Sequence, residues 1–84
     1  MTRSIEWAER ARKDLLRLDR TARERVLTAL DRYAAEGYGD VKRLKAVEPP
    51  VYRLRVGEWR VVFALREVVV VLVLRVRPRG DAYR

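Results

Sequence analysis

Residues 51–65, VYRLRVGEWRVVFAL, decide the fold. Side chains alternate from Val51 to Val56, pause at Gly57-Glu58, and run on from Trp59 to Leu65. A period of two marks a strand with one buried face. Glycine at the first of two connecting positions is the signal for a type II′ hairpin turn. The stretch therefore predicts an antiparallel hairpin in which Val56 faces Trp59 and Arg55 faces Arg60. Alternation then puts Arg53 on the same side as both, so three guanidinium groups share one face. Like charges directly opposite each other destabilise a sheet. Arginine stems lying flat with solvated heads would account for one such residue more easily than for three. The arrangement makes physical sense around an anion, because the planar guanidinium fork grips phosphate oxygens two at a time.

C-terminal to the hairpin, residues 68–76 are apolar on both faces until Arg75, which predicts an interior strand covered by helices on at least one side. Residues 77–84, RPRGDAYR, read as a basic tail that carries Arg77, Arg79 and Tyr83. On the N-terminal side, residues 37–50 read as a loop with the basic centre Lys42-Arg43-Leu44-Lys45, closed by Pro49-Pro50, which bar a helix. Two helices come before it. Ala8, Ala11, Leu15 and Leu18 recur at helical spacing from Trp7 onward, and Ala22, Val26, Ala29, Leu30 and Tyr33 do so up to Glu36, with Gly37 as C-cap. Asp19 and Thr21 both qualify as N-cap of the second helix, Thr21 with Glu24 forming a capping box. The short connection predicts an antiparallel helical hairpin. Charges on its outer faces nearly balance, as on an ordinary solvated surface. Residues 2–6 fit a short opening strand. The expected architecture is a single α+β domain over residues 1–84: a two-helix hairpin packed on a small, mainly antiparallel sheet, with a basic tail.

The chain carries 20 Lys and Arg against 12 Asp and Glu, a net charge of +8 that favours a polyanionic partner. Residues 1–41 hold nine basic and eight acidic side chains and residues 42–84 eleven and four, so nearly all the excess lies in the half with the arginine hairpin. Cysteine and histidine are absent, which removes thiolate chemistry, histidine triads and the usual zinc ligands. A reducing, cytoplasmic setting is the expectation. The longest apolar run is far short of the roughly 20 residues that span a bilayer, so no membrane association is expected. In the second half Glu48, Glu58, Glu67 and Asp81 form no carboxylate cluster, and glycines at 37, 39, 57 and 80 make no phosphate-binding loop. Neither a metal nor a small-molecule cofactor is expected.

The order WAERARKDLLRLDRTARERV, GDVKRLK, YRLRVGEWRVVF and VLRVRPRGDAYR resembles the RelE/ParE superfamily of bacterial toxins from toxin–antitoxin pairs, and resembles RelE more closely. The resemblance covers essentially the whole chain and implies the fold described above. It also implies a metal-independent endoribonuclease that cuts messenger RNA in the ribosomal A site, held in check by a cognate acidic antitoxin. By position it implies Arg53, Arg60, Arg79 and Tyr83 as catalytic residues, with Arg55, Lys42, Arg43, Lys45 and Arg77 contacting RNA. Relatives often carry histidine where this chain has Pro78. The alternatives are a ParE-like protein that inhibits DNA gyrase by binding, and a nucleic-acid-binding relative without catalysis.

Overall fold

The hairpin forms where the alternation puts it. In the computed structural model, which describes residues 2–45 and 48–80, β3 (Tyr52–Val56) turns through Gly57-Glu58 into β4 (Trp59–Arg66). Gly57 takes a positive φ of 57° and Glu58 does not, as a type II′ turn requires. β5 (Val70–Pro78) pairs antiparallel with β4, and β1 (Ser4–Trp7) pairs parallel with β5 on its other side. β2 (Asp40–Arg43) closes the opposite edge against β3, giving the order β1-β5-β4-β3-β2.

Both helices cover one face of this sheet. α1 (Glu9–Arg17) and α2 (Arg20–Glu36) send Ala11, Val26, Leu30 and Tyr33 into a core with Leu54, Val56, Val61, Phe63, Val71, Val73 and Val76. α1 packs mainly on β5 and α2 on β1 and β3, so each helix is held by the sheet more than by its partner. Phe63 sits at the centre, with the rings of Tyr33 and Tyr52 at 5.1 and 5.5 Å. The fold is the expected α+β class. Among the described residues no helix is long and apolar enough to cross a membrane.

Four boundaries differ from the sequence expectation, each for a local reason. Trp7 ends β1, and α1 begins after Ala8. Asp19 caps α2, its side chain accepting from the Ala22 amide at 2.7 Å, so Thr21 lies inside the helix and the capping box is not used. The expected loop over residues 37–50 contains β2, whose bonds to β3 make Asp40–Arg43 an edge strand. The third strand starts at Val70 rather than Val68, because Glu67 and Val68 turn the chain with φ of 53° and 66°, and it runs on through Arg77 and Pro78. The part of the basic tail that precedes Arg79 is thus sheet.

The helical layer is pinned to the sheet by one carboxylate. Asp14 follows Ala11 by three residues and precedes Leu18 by four, so it lies on the buried face of α1 and is 7% exposed. A register shift between Val62 and Phe63 leaves Leu74 as an extra residue in β5, just before Arg75, which stands opposite Val62 and reaches α1 with its side chain. Arg75 Nε donates to Asp14 Oδ2 at 2.8 Å, its Nη2 to Oδ1 at 3.1 Å, and the Val76 amide to Oδ2 at 2.9 Å. Burial pushes the Asp14 carboxyl up, but those bonds and the charges of Arg75 and Arg77 outweigh it and hold the group below its ordinary 3.8.

Because the folded value is depressed, the stabilisation is complete above pH 3.8 and is lost as pH falls through the folded value. Asp14→Asn is expected to cost about 2 kcal/mol at pH 7, and the gap from wild type in denaturant melts should narrow below about pH 4. At the β4–β5 turn a β-branched residue sits in a left-handed conformation that only glycine adopts without strain. Val68→Gly should add about 1 kcal/mol of stability, seen as a higher urea midpoint with an unchanged slope.

Candidate nucleic-acid interface

Leu54 and Val56 point into the core, so Arg53 and Arg55 emerge on the face of the sheet away from the helices. The strand register extends this into two rows. Asp40, Arg55, Arg60 and Arg77 are successive cross-strand partners over β2, β3, β4 and β5. Two residues along, Lys42, Arg53 and Val62 form the second row. Neighbours in such rows stand roughly 5 Å apart at Cβ. The sheet therefore gathers Lys42, Arg53, Arg55, Arg60 and Arg77 on one face, with Asp40 as the single carboxylate in the two rows.

Two of these cations are largely removed from water. Arg60 is 8% exposed, and its Nη1 donates to the carbonyls of Gly57 at 2.8 Å and Trp59 at 3.0 Å. Those acceptors fix the guanidinium on the hairpin turn, and no carboxylate among the described residues pairs with it. The Arg53 side chain is 13% exposed; its Nη1 lies 3.9 Å from Asp40 Oδ1, beyond hydrogen-bond range, and its buried Nε has no partner among the described residues. Taking a cation out of water without a hydrogen-bonded counterion is costly. Arg55, between them, is exposed. An anion placed over the rows would meet donors already held in position.

The remaining expected residues divide. The Arg79 amide donates to the Glu58 carbonyl at 2.7 Å, which ties the chain leaving β5 to the hairpin turn beside Arg60. Lys45 lies in the exposed turn after β2. Arg43 pairs with Tyr52 in register, which puts it on the helix side of the edge strand, and its Nη2 bonds Glu48 at 3.1 Å. It is not brought to the arginine rows. Arg75, adjacent in sequence to the site, is turned away onto Asp14. Tyr83 lies outside the described residues. Sequence reasoning missed that Arg77 stands directly opposite Arg60, because the pairing depends on a bulge that no local pattern announces.

Comparison with known proteins agrees with this architecture. The family model for the ParE toxin of type II toxin–antitoxin systems, parDE, matches residues 5–83. Among solved structures, the archaeal RelE–RelB complex from Pyrococcus horikoshii contains a chain similar at a TM-score of 0.78 and 27% identity, over 98% of this chain and 100% of that one. The isolated Escherichia coli RelE toxin superposes with a TM-score of 0.75 at 22% identity, over 98% and 89%. A chain of the RelB–RelE complex from Methanococcus jannaschii gives 0.75 and 22%, over 93% and 94%. No curated protein matches in sequence. A family match over almost the whole length, on the fold of RelE toxins, means that this chain belongs to the ParE toxin family of type II toxin–antitoxin systems, within the RelE/ParE superfamily.

Proposed function

We propose that this toxin is a metal-independent endoribonuclease that cuts messenger RNA in the ribosomal A site. The observation that carries the reading is the row Arg55–Arg60–Arg77, flanked by the largely buried Arg53. RNA brings its own nucleophile, so the protein has to orient the 2′-hydroxyl, stabilise the charge that builds on the phosphorus oxygens, and support departure of the 5′-oxygen. Arg60 and Arg53 hold the scissile phosphate, Arg55 holds the neighbouring backbone, and Arg79 with Arg77 neutralises the leaving oxygen. Tyr83 takes the 2′-hydroxyl proton as its phenolate, generated next to guanidinium charge. It follows Gly80 by three positions, a reach of about 10 Å. The 2′-oxygen bonds to phosphorus as the bond to the 5′-oxygen breaks, and that oxygen, its charge offset by the arginines, takes a proton from solvent water. The products are a 2′,3′-cyclic phosphate and a 5′-hydroxyl.

A tyrosine base with no histidine beside it is a slow catalyst, so dependence on a ribosome to align the RNA fits the residue set. Lys42 and Lys45 extend the contact to flanking nucleotides; Arg43, turned to the other face, does not. The protein acts in the cytoplasm, where translating ribosomes are found. Its partner is a cognate acidic antitoxin that folds over the arginine rows and neutralises by charge and occlusion. The structures of the Pyrococcus and Methanococcus relatives are complexes of RelE with RelB, which supports a partner of that kind. The family match favours a second reading, inhibition of DNA gyrase by binding.

Induced expression with transcriptome-wide mapping of new RNA 5′ ends separates the two. Cleavage inside coding frames is expected; growth arrest with intact messages and broken DNA would instead establish the gyrase reading. On purified ribosomes Arg55→Ala and Arg60→Ala should each lower the cleavage rate about 100-fold or more, while Arg43→Ala stays close to wild type. Arg55 is exposed, so its loss is not a folding effect.

A further inference from the structure

α1 carries a second cationic surface that the sheet site does not use. Arg10, Lys13 and Arg17 follow one another at i, i+3 and i+7, which aligns them along one side of the helix. All three are exposed, and none pairs with a carboxylate among the described residues. On α1 the remaining arginine is compensated, Arg12 bonding Glu9 at 2.8 Å, and on α2 Arg20 bonds Glu24 at 3.2 Å, while Arg23, Arg25 and Arg32 are spread around α2 without an ion pair among the described residues. The balanced charge tally of the helices thus conceals an unbalanced face. With Asp14 and Arg75 the stripe lines a shallow hollow of about 240 Å³. Asp14 offers no relief there, since both its oxygens are taken by Arg75 and the Val76 amide.

We infer that this stripe is a second RNA site, one that grips the phosphate backbone of helical RNA. The inference rests on the RNA reading of the arginine rows and extends it to a structured RNA beside the cleaved strand. Arg10 to Arg17 spans about 10 Å of helix, which sets the three cations within reach of neighbouring phosphates of a duplex. Residues lining the hollow include no aromatic and no aliphatic side chain. Single strands are held by aromatic stacking and helical peptides by apolar anchors, so the chemistry left is backbone contact without base reading. Arg77 joins the two surfaces: it stands opposite Arg60 in the sheet, and its charge acts on Asp14 under the stripe.

The test is equilibrium binding of the full chain to short RNA duplexes of two unrelated sequences over a salt series. Replacing Arg10, Lys13 and Arg17 together by Gln should weaken both duplexes alike and reduce the slope of log K against log salt by about 2–3, as three lost contacts at about 0.9 each require. Arg12→Gln, one charge removed from the same helix outside the stripe, should leave the slope unchanged. An unaltered slope in the triple variant, an equal loss in Arg12→Gln, or loss of acidic-peptide binding with duplex binding intact would each overturn the inference. Binding is read without cleavage, so a wild-type protein that leaves messages intact would remove the nuclease reading and leave this result standing.

Discussion

The structure depends on the pairing register that the Gly57-Glu58 turn imposes. With Val56 set against Trp59, Leu54 must meet Val61, and the β4–β5 register beyond the bulge adds Val76 to that row, which enters the core. The turn likewise leaves Arg55 no neighbour on β4 but Arg60, and the β4–β5 register sets Arg77 beside Arg60. A slip of one residue would exchange the two faces, bringing arginines under the helices and valines into water. Burial of Leu54, Val61, Phe63 and Val76 is worth about 2 kcal/mol for each side chain, well above the repulsion between partly solvated guanidinium groups. The core therefore holds together a row of cations that would separate if left alone.

A carboxylate on α1 then sorts the arginines of β5. After the extra Leu74 the ladder is regular, with Arg75 opposite Val62 and Arg77 opposite Arg60, and Arg75 is drawn to Asp14. One arginine becomes a structural tie between helix and sheet, and the next stays available to an anion. Their spacing of two gives them the same register side, and the Asp14 bonds separate their roles.

Local signals made the hairpin, both helices, the Asp19 and Gly37 caps and the convergence of Arg53, Arg55 and Arg60 readable from the sequence. What could not be read depends on distant partners. β2 is a four-residue edge strand whose Asp-Val-Lys-Arg lacks clear alternation, so only β3 makes it a strand. The β1–β5 pairing joins residues more than 60 positions apart, and the bulge has no composition of its own. Asp14 is a different case: its spacing from Ala11 and Leu18 already put it on the buried face of α1, and a carboxylate there requires a buried cation to meet it.

A shared fold leaves the choice of target to the site, since one scaffold hosts several activities. Here the site is a set of arginine donors with no group of metal ligands among the described residues and no histidine in the chain, a composition suited to a substrate that supplies its own nucleophile. Cleavage of a ribosome-bound message carrying one 2′-deoxy nucleotide on the 5′ side of the scissile phosphate tests that most directly. The account predicts that cutting stops at that position while binding to the complex is unchanged. Continued cutting there at the wild-type rate would contradict it.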